Sequence, residues 1–342
     1  MKQRINQTFL RCLMVVPVWM TSVAIAMAQD PHFSQYFASP LTQNPAHTGN
    51  YDYPSRLAMN FRSQWQGIGQ PFLTGTASFD AQLFREKMGE RNKLAAGFLG
   101  LFDQTSGGLY RGNYLAASVG YHIILDEDYT EQLSIGFQGS LVNKRLDPNR
   151  ITFAEQFVGS GFDLSRPSYQ NFQNTAIGYF DVNAGILYSK TAEKASFYAG
   201  ASAYHLGRPR ESFLGNRDMF VDIRYTAHLG GTLNVSKHSQ LMGTFQYMGQ
   251  GTARQTLAGL AYGYQLDSEF QDIVFYLGGW YRIGDAFIPY LGYRYSNLQF
   301  GLSYDVTTSG LNLSNTRNRS LELSLIYHFL DNSEYRRMVP WY

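Results

Sequence analysis

Ile223-Arg224-Tyr225-Thr226-Ala227-His228-Leu229-Gly230-Gly231-Thr232-Leu233-Asn234-Val235 alternates residue by residue. Tyr225, Ala227, Leu229, Gly231, Leu233 and Val235 share one parity, and Arg224, Thr226, His228, Gly230, Thr232 and Asn234 share the other. Successive side chains of a strand point to opposite faces, so this stretch has an apolar face, a polar face and no helical stripe. The pattern recurs on both sides. Phe180, Val182, Ala184, Ile186 and Tyr188 alternate with Asp181, Asn183, Gly185 and Leu187. Leu321, Leu323, Leu325, Tyr327 and Phe329 alternate with Ser320, Glu322, Ser324, Ile326 and His328. Leu133, Ile135, Phe137 and Leu141 form a further apolar set. Weaker segments lie near 55–65, 73–83, 93–102, 109–124, 196–204, 240–248, 253–265, 272–282, 287–295 and 298–305. Together they make about 14 strands, an even number, as single-chain outer-membrane barrels prefer.

Alternation alone does not separate a membrane barrel from a large soluble β-protein; the connections give an independent check, although the outward ones near 249–252 and 283–286 are short. With the N-terminus on the periplasmic side, connections after odd strands face outward. The three longest, 143–177, 205–222 and 306–319, follow strands 5, 7 and 13. The tight turns Ser236–Ser239 and Ser296–Asn297 follow even strands. Outer-membrane barrels have long external loops and short periplasmic turns, whereas a soluble sandwich has no reason to sort its loops by parity. The expectation is an all-β fold: a transmembrane antiparallel β-barrel over residues 55–329 with long extracellular loops. Trp280, Tyr281, Tyr290, Tyr293 and Tyr295, near strand ends, are expected in interfacial girdles.

The first 28 residues set the compartment. Lys2, Arg4 and Arg11 precede an uncharged run that ends in Ala26-Met27-Ala28. A basic start, an apolar run and a small-x-small site read as a signal peptide, with the mature chain starting at Gln29. Without those three cations, 25 basic face 26 acidic residues, a net charge of −1. No basic excess remains for nucleic acid. The single Cys lies inside the signal, so the mature chain has no disulfide, thiolate metal site or thiol nucleophile. After the signal no stretch nears the roughly 18 apolar residues of a membrane helix.

Two regions are more than a bare barrel needs. Residues 29–54 carry Pro31, Pro40, Pro45 and Pro54 and no period. This irregular segment is either a floppy leader or an ordered piece lodged in the lumen or on a periplasmic partner. Phe33, Tyr36, Phe37 and Leu41 give it anchors that a disordered linker lacks. The 143–177 connection carries Phe153, Phe157, Phe162, Tyr169 and Phe172. These rings pack on one another, cap the barrel or meet a partner. A C-terminal tail, 330–342, follows the last strand.

No catalytic or cofactor site emerges. The seven His are scattered, without H-E-x-x-H or metal spacing, and neither G-x-S-x-G nor a P-loop is present. His228 on the polar parity reads as a lumen residue. Asp126-Glu127-Asp128 reads as a solvated turn rather than a calcium site. The polar parity is mainly Thr, Ser, Asn and Gly, which argues mildly against an ionic pore.

Gln29-Asp30-Pro31-His32-Phe33-Ser34-Gln35-Tyr36 with Pro40-Leu41-Thr42-Gln43-Asn44-Pro45-Ala46 resembles the opening of PorP/SprF proteins. Arg62-Ser63-Gln64-Trp65 resembles that family's R-x-Q-W. Ile151-Thr152-Phe153, Gln156-Phe157, Gly161-Phe162-Asp163, Asp181–Tyr188, His205-Leu206 with Ser212-Phe213, Arg224–His228, and Gly301–Val306, including Asp305, with Ser309-Gly310-Leu311 are similar in family order. The resemblance implies an outer-membrane component of type IX secretion or gliding, without enzymatic activity or cofactor. It would help export or anchor C-terminal-signal surface proteins such as adhesins, and would contact periplasmic secretion subunits. Phe33, Tyr36, Phe37, Phe153, Phe157 and Phe162 are the candidate partner contacts, and Arg62, Trp65 and Asp305 are the family-motif residues. The alternatives are a small-solute channel or porin, and an outer-membrane hydrolase with a triad assembled across strands.

Overall fold

The computed structural model describes residues 29–66, 70–84, 92–168, 172–266, 272–309 and 319–330. The expected signal at 1–28, Tyr169, the Gly310-Leu311 end of the last motif block and residues 331–342 of the tail lie outside the described residues. From Pro31 onward the chain forms one unit.

Fourteen antiparallel strands close on themselves. They are β1 (Ser55–Gln66), β2 (Phe72–Leu83), β3 (Asn92–Thr105), β4 (Tyr110–Ile124), β5 (Glu131–Leu146), β6 (Ala176–Thr191) and β7 (Ala195–Tyr204). Then come β8 (Arg224–Ser236), β9 (Ser239–Gln250), β10 (Ala253–Leu266), β11 (Ile273–Arg282), β12 (Ala286–Tyr295), β13 (Leu298–Thr307) and β14 (Arg319–Phe329). Each strand pairs with the next, and β14 returns to β1, Glu322 lying opposite Arg62. Closure removes the free edge, so every strand can satisfy its backbone in a medium without water. Each segment read from alternation is a strand here.

The alternation separates lipid from lumen. Phe98, Leu115, Phe137 and Leu277 are each more than 60% exposed at mid-strand, and they share the outward parity with Tyr225, Leu229 and Leu233. So many bare apolar side chains would not suit an aqueous wall; they suit acyl chains. Arg224, Thr226 and His228 are buried on the opposite face.

Parity also corrects one expectation. Trp280 and Tyr290 are not girdle residues: they point inward and are only 2% and 1% exposed. Tyr281 and Tyr295 face outward. Closeness to a strand end does not decide the side of the wall; position modulo two does.

The antiparallel order gives the barrel two mouths. At one, the β8–β9 and β12–β13 turns are tight, and Asp126 closes the β4–β5 turn by accepting the Thr130 and Glu131 amides. At the other lie the long connections after β5, β7 and β13. Lys144 at the end of β5 pairs with Glu211 at 2.6 Å, and Tyr179 donates to the same carboxylate, holding the β7–β8 connection against the wall.

Candidate functional site: a lumen filled by the chain's own N-terminal segment

Residues between Phe33 and Tyr51 are almost all buried. Prolines divide the segment into short helical turns, Tyr36–Ala38, Pro40–Gln43 and Pro45–His47. Pro40 and Pro45 stand where the missing N–H has no partner to lose. The Asn44 side chain caps the third turn by accepting the Ala46 amide at 2.8 Å. Too short to form a packed unit alone, the segment is held by the barrel wall.

Near the mouth with the long connections, two cations and two carboxylates grip Ser34 and Gln35. The Ser34 and Gln35 amides donate to the two oxygens of Glu322 at 2.8 and 2.7 Å. The Ser34 hydroxyl donates to Asp305 at 3.0 Å. Arg62 donates to Asp305 at 2.8 Å and to the His32 carbonyl at 2.7 Å. Arg282 donates to Asp305 at 2.9 Å and to the Ser34 oxygen at 2.6 Å. Two charges of each sign sit within one buried cluster, so none is left uncompensated. Losing one partner of such a pair costs about 3–5 kcal/mol.

Deeper, Phe37 packs between Trp280 and Tyr290, with ring centroids at 5.6 and 5.7 Å. The Trp280 indole N–H donates to Thr244, which satisfies its polar end inside the wall. Beyond that, the segment crosses a row of glycines. Gly120, Gly136 and Gly185 lie opposite one another on β4, β5 and β6. A Cβ on Gly185 would fall 1.9 Å from Asn44 Oδ1, one on Gly136 2.2 Å from the Pro45 carbonyl carbon, and one on Gly120 2.4 Å from the Thr48 oxygen. Only a side chain of hydrogen lets the segment approach the sheet this closely. There Asn44 donates to the carbonyls of Ile186 and Ala201.

Toward the other mouth, the His47 and His228 Nε2 atoms are 3.1 Å apart, so one ring donates and the other accepts. His122 meets the Thr48 carbonyl at 2.8 Å. Arg56 pairs with Asp80 at 2.9 Å and donates to the His47 carbonyl, while Asp80 accepts the Gly49 amide at 2.7 Å.

Of the residues singled out in the sequence, Arg62 and Asp305 are brought together. Trp65 is not with them: it faces outward at a bulge at the end of β1, has φ of 57°, and its ring lies 4.7 Å from that of Phe72. Phe33, Tyr36 and Phe37 are 2–3% exposed. They contact the wall, and a partner reaches them only if the segment is drawn out. Phe153 is half-buried near Phe172, at 6.2 Å. Phe157 and Phe162 pair at 5.3 Å yet are each 51% exposed, beside exposed Val158 and Leu164. Sequence reading put Glu322 on the polar parity without a role, missed Arg56, Asp80 and Arg282 as lumen residues, and expected few charges there. The available signal was a lone charge on the inward parity, such as Glu322 between Leu321 and Leu323. Among the described residues no group of three or more His, Cys, Asp or Glu is placed to hold a metal.

The family model described as type IX secretion system membrane protein PorP/SprF matches residues 25–327. The chain belongs to the PorP/SprF family. It is therefore an outer-membrane barrel of type IX secretion, and the plug described above is part of a PorP/SprF barrel. No curated protein matches the sequence. Among solved structures, the Ralstonia pickettii toluene transporter TbuX is similar at 10% identity and a TM-score of 0.51, covering 85% of this chain and 94% of its own. The CymD monoaromatic hydrocarbon channel is similar at 10% identity and a TM-score of 0.50, covering 86% and 94%. At such identity the likeness is one of fold. The PorP/SprF barrel shares an outer-membrane architecture with these channels.

Proposed function

We propose that this PorP/SprF barrel is a plugged outer-membrane station that helps export or anchor C-terminal-signal proteins such as adhesins, and has no enzymatic role. The observation that carries this reading is the combination of family membership with a lumen gripped along its length by residues 32–51. A diffusion pore works through an open, polar passage. Here the passage holds protein bound through paired charges, aromatic packing and backbone contact. The long connections instead present Phe157, Val158, Phe162 and Leu164 to solvent, with Leu206, Leu214, Met219 and Phe220 on the second loop. Exposed apolar groups on loops of a rigid scaffold favour protein contact. On this reading the long connections are extracellular, and periplasmic secretion subunits meet the tight turns.

Replacing Phe153, Phe157 and Phe162 together by Ser tests the proposal. The barrel should stay folded and heat-modifiable, because strand closure and the lipid-facing band hold it. Surface display of one or a few type IX substrates should fall. If this variant and a full deletion both display every substrate normally while uptake of a small solute collapses, the protein is a channel.

A further inference from the structure

The lumenal segment has a direction. Its C-terminal end lies at the mouth with the tight turns: Tyr53 stacks on His328 at 4.6 Å and lines a cavity of about 340 Å³ with Ser236–Ser239, Ser296 and Asn297. Its other end lies at the opposite mouth. His32 is held by Arg62, four residues before the end of β1. Ser34 is held by Arg282, the last residue of β11, which itself pairs with Asp285 in the following turn at 2.8 Å. Along β1 the grips of Arg56 on His47 and Arg62 on His32 are six residues apart, about 20 Å at the rise of a strand. With strands tilted about 40°, that is about 15 Å along the barrel axis, more than half of the apolar band of about 25 Å. Burial follows the same course: Phe33 is covered, while Pro31 and His32 are partly exposed.

We propose that the N-terminal segment is threaded through the barrel, entering the lumen at the mouth of the long connections, so that Pro31 and His32 belong to the surface a partner meets on the loop side. A partner on the tight-turn side meets Tyr53 and the Ser236–Ser239 turn instead. The inference rests on the path of the chain and does not depend on what the barrel exports.

The test is single-cysteine labelling of the full chain in cells, with the Cys of the leader left in place because the reporter positions lie downstream. Pro31→Cys, and His32→Cys as a second probe, are compared with Ser160→Cys in a long connection and Ser236→Cys in a tight turn. A membrane-impermeant maleimide is added before and after the outer membrane is permeabilised, and heat-modifiability confirms that each variant is folded. Both probes should label under whichever condition labels Ser160→Cys. Labelling of both probes only together with Ser236→Cys, or failure of both to label in folded protein, overturns the proposal. Because the comparison is relative, it stands even if the long connections prove periplasmic, and a wrong secretion reading would show in substrate display and not here.

Discussion

Arg62 and Asp305 meet at 2.8 Å although 243 residues separate them in the chain. The closure of the barrel makes the contact. Arg62 on β1 lies opposite Glu322 on β14, and Asp305 on β13 lies opposite Ser320, two residues earlier on the same strand. Three consecutive wall strands thus bring three ionisable side chains to one level of the lumen, where Ser34 and Gln35 fill the space between them.

Asp305→Ala should loosen this grip without opening the barrel. Arg62 would keep Glu322 at 3.7 Å and Arg282 would keep Asp285, but both lose their shared carboxylate. Breaking a buried pair costs about 3–5 kcal/mol. Limited proteolysis should therefore cut between His32 and Tyr51 in the variant and not in the parent, with the heat-modifiable barrel retained. Equal protection of the two proteins would show that the cluster does not hold the plug.

The glycine row gives a steric prediction. Gly185→Ala and Gly136→Ala place a methyl group about where Asn44 and Pro45 now lie, and forced overpacking costs about 1–3 kcal/mol. Gly178→Ala, on the same β6 strand, meets its nearest neighbour at 3.7 Å and serves as the control. The first two variants should lower the temperature of the electrophoretic unfolding shift and expose the segment to protease; the control should do neither.

Lys144→Met should free the β7–β8 connection. Its side chain is 7% exposed and its ammonium meets Glu211 at 2.6 Å. A hydrogen bond to a charged group contributes about 1.5–3 kcal/mol. Protease should cut within 205–222 faster in the variant, while cutting of the N-terminal segment is unchanged.

Processing is checked directly. N-terminal sequencing of protein from the outer-membrane fraction should read Gln29-Asp30-Pro31, from the Ala26-Met27-Ala28 site. Retention of Met1 would contradict it.

The sequence by itself determined the wall. A transmembrane strand must show lipid one face and the lumen the other, so its two-residue period is written locally, and segments such as 223–235 carry it in full. The sorting of long and short connections is equally local, because strand order fixes which mouth each one reaches. Even the ordering of the N-terminal segment had a trace in Phe33, Tyr36, Phe37 and Leu41. What only the tertiary structure decided was where that segment goes and what grips it. Arg62 in β1, Arg282 in β11, Asp305 in β13 and Glu322 in β14 form one cluster only after the sheet closes, and closure is a long-range event with no periodic mark in the chain. Gly120, Gly136 and Gly185 likewise look like ordinary strand glycines until register sets them side by side. Trp280 was misplaced for the same reason: its chemistry suits a membrane interface and a packed lumen alike, and only the strand's phase chose the lumen.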